Sequence, residues 1–263
     1  MIFCSDHGDM QGAHGGMHEK WHVAYEEAIH VPFIVSSPLL PGGTRELDVP
    51  TNHADFIPTL LGLTGIDPDR ALTLLQADHT DAHPLVGRDL SQAIRSADPT
   101  VPEEPILFFT DDEISEGGET SRSPFGRVAK RLKHYSTVKQ PNHVQTVIAE
   151  LDVDGAPHLL KFSRYFDNAQ FWTVPGKRDE RLQDRRTLTV TEPEPDEYEF
   201  YDLTLDPIEA HNLAHPSHAD ENTRALQTRM LALLIEQLAT KRLTPSAGEV
   251  PGYRPPAVSV TAR

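Results

Sequence analysis

Cysteine is nearly missing from this chain. Cys4 is the single one in 263 residues, so no intramolecular disulfide framework is possible. Long apolar runs are missing too: none approaches the 18 residues that a membrane-spanning helix needs. Positive charge is scarce, with 24 Lys and Arg against 40 Asp and Glu, a net charge of −16 and a pI near 5.2. Such a surface repels nucleic acid and anionic membrane, so neither is expected as a partner. No leader is visible, because Met1 runs straight into an apolar stretch without a charged n-region or cleavage site. That inclines the reading to the cytoplasm. Internal repeats are absent. The length suffices for one large domain or two small ones.

What is present begins at the first residues. Met1-Ile2-Phe3-Cys4 is a short apolar run that reads as a buried strand of a parallel sheet. It stops at Asp6-His7-Gly8. In open α/β sheets ligands bind just beyond the carboxyl ends of the strands, where this carboxylate and imidazole are delivered. Hard oxygen with borderline nitrogen suits Ca²⁺, Mn²⁺ or Zn²⁺ rather than a thiolate metal. Gly8 permits a tight backbone turn behind the pair.

The blocks that follow extend the pattern. Ser5-Asp6-His7-Gly8-Asp9-Met10 is succeeded by Gly12-Ala13-His14-Gly15, by Lys20, by Tyr25-Glu26-Glu27-Ala28-Ile29 and by Val31-Pro32-Phe33-Ile34-Val35. In order and near-spacing these resemble the sulfatase family of the alkaline phosphatase superfamily, a pattern shared by phosphonate monoester hydrolases. The resemblance implies a metal-dependent sulfuric ester hydrolase, with phosphonate monoester or phosphodiester hydrolysis and a non-catalytic relative as alternatives. It implies that Asp6 and His7 bind a divalent cation, Ca²⁺ foremost, with Mn²⁺ or Zn²⁺ as substitutes. Lys20 would be the catalytic and substrate-binding lysine on a small sulfate or phosphate ester. Either His18 or His22 stands where it could face the same ester beside Lys20, and His22 is taken as the candidate substrate-binding residue. The gap from His7 to Lys20 is about one residue longer than in many members.

Cys4 does not match the family's nucleophile, a cysteine oxidised to formylglycine within a Cys-x-Pro-Ser-Arg motif, because Ser5-Asp6-His7 follows it. It reads instead as a small apolar residue in a buried strand. Neither that motif nor a Ser-x-Pro-x-Arg occurs in the sequence. The family's upstream Asp pair and catalytic His have no counterpart either. The chain therefore resembles the C-terminal portion of a sulfatase, a fragment expected to be inactive alone.

Other clusters read as ordinary structure. His14, His18 and His22 stand four residues apart, a metal-binding face if helical, but Gly15 and Gly16 favour a loop. His53 and Asp55 suggest a polar helix face before a ligand pair. Asp111-Asp112-Glu113, after a strand, reads as a solvated acidic loop before a second metal site. Trp21 and Tyr25 read as packing residues, and Arg88 as a surface or salt-bridged arginine.

The expected fold is α/β. Residues 1–115 form the C-terminal part of an alkaline-phosphatase-like mixed sheet flanked by helices. Residues 116–243 form a small antiparallel sheet with a packed helix, and 244–263 a Pro-rich tail. Asn52 or Thr51 caps a helix over His53 to Leu63, which Gly65 stops. A short helix covers Ala71 to Ala77, and Gly87-Arg88-Asp89-Leu90 resembles the family's Gly-Arg-Ser-Leu element. Ile106 to Thr110 is a buried strand. His143 to Leu151 turns at Asp152-Val153-Asp154-Gly155 into a hairpin partner, His158 to Phe166. Tyr201-Asp202-Leu203, Asp206-Pro207 and Glu209 through Asn212-Leu213 resemble the family's C-terminal subdomain. A helix over Ala219 to Lys241 puts Leu226, Met230, Leu233, Leu234 and Leu238 on one stripe.

Overall fold

The structure is a computed structural model that describes residues 1–20, 22–79, 82–96, 101, 103–110, 141, 143–167, 169, 174, 176–181 and 187–241. Trp21, the Asp111–Glu113 cluster and the Pro-rich tail lie outside the described residues. The fold is mixed α/β. Its largest element is a four-stranded antiparallel sheet of β3 (Ile106–Thr110), β4 (His143–Val153), β5 (Ala156–Phe166) and β8 (Glu197–Asp202), in that order. A β6–β7 hairpin (Arg178–Arg181, Thr187–Val190), not expected from the sequence, stands between β5 and β8 in the chain.

The β4–β5 hairpin follows from its turn. Asp154 (φ 53°) and Gly155 (φ 88°) both take the left-handed conformation that closes a two-residue hairpin loop, pairing Val153 with Ala156. Asp152 accepts the Gly155 N–H at 3.1 Å.

Both faces of this sheet are covered. On one, the long C-terminal helix Glu221–Lys241 lays Met230, Leu231, Leu234 and Leu238 onto Leu107, Val147, Leu160, Phe162 and Phe200. Leu226 and Leu233 of the expected stripe pack at its margin. The opposite face carries Lys161, Ser163, Glu199 and Tyr201, and there the chain's N-terminal region docks. Double coverage explains why β5 is buried continuously from Leu160 to Arg164 rather than at alternate residues.

The N-terminal region corrects two expectations. β1 (Ile2–Cys4) and β2 (Phe33–Val35) pair with each other antiparallel, Phe3 opposite Ile34, as a two-stranded ribbon. The parallel pairing expected of β1 is absent among the described residues. Phe3 and Ile34 are 54% and 51% exposed and Cys4 is exposed, so the strand is not buried and Cys4 is not a core residue. A three-residue apolar run carries no information on the direction of its partner, and among the described residues nothing buries Phe3 or Ile34.

The helix after Asn52 forms as its cap predicts. Asn52 accepts the Ala54 N–H while Asp55 accepts the Asn52 N–H, a reciprocal capping box. A 3₁₀ turn, His53–Asp55, leads into α-helix Phe56–Thr64, ended by Gly65 at φ 71°. Asp55 is not on a polar outer face: it is 2% exposed, bonds the Arg88 guanidinium at 2.8 Å and accepts the Arg88 N–H. Gly87 is required beside it, since a Cβ there would stand 1.9 Å from the Ala54 carbonyl oxygen. The next helix spans Pro68–Asp78, longer than expected at both ends because Asp67 caps it and Pro68 opens it. No helix among the described residues is long and apolar enough to cross a membrane.

Candidate active site

Ser5 to Gly8 leave the open end of β1. The Ser5 hydroxyl donates to the His7 carbonyl at 2.7 Å, and the His53 ring nitrogen Nε2 meets the Ser5 carbonyl at 2.8 Å. These bonds hold the turn that presents Asp6 and His7. His7 Nδ1 lies 2.7 Å from the Gly8 carbonyl, which can only accept, so that nitrogen carries the proton. Nε2 is thereby turned towards Asp6, 3.5 Å from Oδ2. The Asp6 carboxyl sits below its ordinary range. The His7 backbone N–H bonded to Oδ1 is the main cause, with a weaker contribution from the charge of Lys20.

Lys20 reaches this place through a closed loop. The Met10 N–H donates to the Glu19 carbonyl at 2.9 Å, and Gly12 donates to Met17 at 2.7 Å. The chain therefore returns beside Asp6 just before Lys20, which is exposed. Met10, 2% exposed, anchors the loop against Val23 and Ala28. The structure thus pairs Asp6 with His7 and brings Lys20 near enough for its charge to act weakly on the Asp6 carboxyl. His22 stands two residues on, half-buried at φ 53°, immediately before the buried pair Val23 and Ala24.

The helical histidine face does not form. Only Ala13–Gly16 makes a helical turn, and His14 (φ 48°) and Gly15 (φ 84°) inside it are left-handed. His14 instead stacks on Tyr25, centroids 3.8 Å apart, and approaches Glu27 at 3.3 Å. His14, Glu27 and Glu209 each offer a donor atom within 4.8 Å of the other two, an acidic and imidazole cluster of a kind that can hold a cation. It stands apart from Asp6 and His7 in the chain and was not foreseen.

Behind the site lies a buried polar network that composition and motif reading missed. The Lys161 ammonium, from β5, bonds Glu209 Oε1 at 2.5 Å and Glu26 Oε1 at 2.9 Å. The Glu26 N–H donates to Glu209 Oε2 at 2.7 Å. Burial pushes the Glu209 carboxyl up, a rise that Lys161 opposes. Nearby, Tyr25 and Tyr165 donate to the two oxygens of Glu199, at 2.8 and 2.7 Å. Burial, then the Glu199 charge, drives the phenols of Tyr25, Tyr165 and Tyr201 upward. The available signal was Lys161 itself, a charge between Leu160 and Phe162 in a strand too apolar to leave it solvated.

Asp6 and His7 thus offer a carboxylate and an imidazole in one turn at the open end of a strand, a donor pair of a kind that can hold a cation. Residues 1–66 match the model of the sulfatase family. Two curated relatives agree. A protein described as an ulvan-active sulfatase, from Formosa agariphila, is 33% identical over 113 residues, which are 41% of this chain and 19% of that protein. The uncharacterized sulfatase YidJ of Escherichia coli is 36% identical over 72 residues, 27% of this chain and 14% of YidJ. The chain thus matches less than a fifth of the length of either relative.

Proposed function

We propose that this chain supplies the cation-and-lysine part of a sulfuric ester hydrolase site. Asp6 and His7 hold a divalent cation, Ca²⁺ in the first place, and Lys20 meets the sulfate oxygens with His22 alongside. The observation that supports this reading is the pairing of Asp6 and His7 in one turn at the open end of β1, with Lys20 close enough for its charge to reach Asp6.

The donor chemistry fits a cation. With Nδ1–H fixed on the Gly8 carbonyl, the lone pair of Nε2 faces the Asp6 carboxylate across 3.5 Å. Ligating histidines commonly donate their second ring N–H to a carbonyl in this way. Two donors so spaced can share one ion at bond lengths of about 2.0–2.6 Å. Asp6, held below the ordinary carboxyl range, stays ionised as a ligand must. A bound cation would neutralise and polarise the ester oxygens. Lys20 adds a mobile point charge to the same group. The nucleophile is contributed by residues other than those of this sequence, where exposed Cys4 lacks the motif that oxidation to formylglycine requires.

The test joins this chain in one polypeptide to a nucleophile-bearing sulfatase N-terminal portion and follows aryl sulfate hydrolysis with Ca²⁺. Lys20→Ala should lower kcat/KM about 10²-fold with metal content intact, the loss typical of one preorganised transition-state contact. Asp6→Ala should lose metal and rate together. The unjoined chain should show no enzymatic turnover, because covalent catalysis needs its nucleophile. Turnover by the chain alone, or a fully active Lys20→Ala, would overturn the reading. Preference for an aryl phosphonate monoester over the sulfate would redirect it within the superfamily.

A further inference from the structure

The Asp6–His7 turn borrows its position from elsewhere. The Gly8 N–H donates to the Ala28 carbonyl at 2.8 Å, and Gly8 lies so close to Glu27 that a Cβ would stand 1.9 Å from its carbonyl oxygen. The residue after His7 is therefore seated directly on the helical turn Glu26–Ile29. That turn has four residues and no side-chain cap, too little to persist by itself. Its first N–H, on Glu26, is taken by Glu209, and its first carboxylate by Lys161. Lys161 and Glu209 are 1% and 3% exposed, and Lys161 belongs to the strand whose neighbours Leu160 and Phe162 form the main core.

We propose that Lys161 and Glu209 are positioning residues for the Asp6–His7 pair, tying the ligand turn to the four-stranded sheet through Glu26, Ala28 and Gly8. This rests on the reading of Asp6 and His7 as cation ligands. Two buried groups that bond both each other and Glu26 leave the helical turn one arrangement. A carboxylate so buried is kept at that place only while Lys161 and the Glu26 N–H share its two oxygens. Glu209 also enters the His14–Glu27 cluster, so its loss loosens both sides of the turn.

The experiment uses the full chain and two readouts, exchange of the Gly8 amide by NMR and Mn²⁺ affinity by EPR titration. In Glu209→Ala, Gly8 exchange should accelerate about 10-fold or more relative to the β4–β5 hairpin amides, by local opening. Mn²⁺ affinity should fall about 10- to 100-fold, the range for lost outer-shell support. Glu209→Gln keeps an acceptor for the Glu26 N–H but turns its amide NH2 towards the Lys161 ammonium, so it should fall between the parent and Glu209→Ala in both. A merely structural role would lower Tm in both variants and leave the referenced Gly8 exchange and the Mn²⁺ affinity unmoved, which overturns the proposal. Should Glu209→Ala not fold, the double variant Lys161→Met/Glu209→Leu removes both charges together and should show the same two changes; parent-like values would overturn it. Asp6→Ala separates the two readings. If it binds Mn²⁺ like the parent, the cation assignment falls, and Gly8 exchange alone then decides whether the turn is positioned by Lys161 and Glu209.

Discussion

The two ends of this molecule are built by different means. The C-terminal sheet and its long helix share one contiguous apolar core, from Leu107 through Phe162 and Phe200 to Leu238. The N-terminal region, which carries Asp6, His7 and Lys20, has a small cluster of Met10, Val23 and Ala28 and an exposed ribbon. It is held by polar links: Lys161 to Glu26, Tyr25 to Glu199, Asp55 to Arg88. Stability thus resides on one side and the proposed chemistry on the other. The chemical side takes its geometry from directional bonds, which specify position more sharply than apolar contact does.

The largest effect should come from the core. Phe162→Ala removes a fully buried ring and should cost about 3–5 kcal/mol in urea unfolding, melting the N-terminal region along with the sheet it docks on. Loss of the sheet with the N-terminal region still folded would break the comparison. Next, Asp55→Ala leaves the Arg88 guanidinium without its buried partner and removes the capping box. About 3 kcal/mol is expected, confined to the N-terminal region. Hydrogen exchange should show the β4–β5 hairpin amides still protected.

A third effect lies at high pH. The phenols of Tyr25, Tyr165 and Tyr201 have native pKa values raised above the unfolded value of about 10. The native state therefore holds these protons more tightly than the unfolded one. Stability is complete below about pH 10 and falls as pH rises beyond it, by up to about 1.4 kcal/mol per pH unit for each phenol. Phenolate absorbance should then appear together with unfolding. Titration of all the tyrosines near pH 10 in a folded protein would contradict the buried phenol network. The smallest effect should be at the ribbon: Phe3→Thr, at an exposed position, should change stability by no more than about 0.5 kcal/mol.

Elements with a local signal were legible in the sequence. Asn52 and Gly65 bracket their helix, Asp154-Gly155 closes its hairpin, and the Leu and Met stripe places the last helix on the sheet. Asp6, His7 and Lys20 stood out only through a resemblance, and the Met10 to Glu19 bond closes the loop that precedes Lys20. What the sequence hid was pairing between distant segments. The run Ile2–Cys4 says nothing of its antiparallel partner or its exposure. Lys161 stands out between Leu160 and Phe162, but nothing local names its partner Glu209, 48 residues further along the chain.

The central claim is that Asp6 and His7 make a cation site on which Lys20 acts without being a ligand. Calorimetric titration of the chain with Ca²⁺ tests it most directly. Asp6→Ala deletes a donor and its charge and should abolish the binding seen in the parent. Lys20→Ala should retain it, because an ammonium contributes nothing to a cation's coordination. Parent-like Ca²⁺ binding in Asp6→Ala, or its loss in Lys20→Ala alone, would contradict the account.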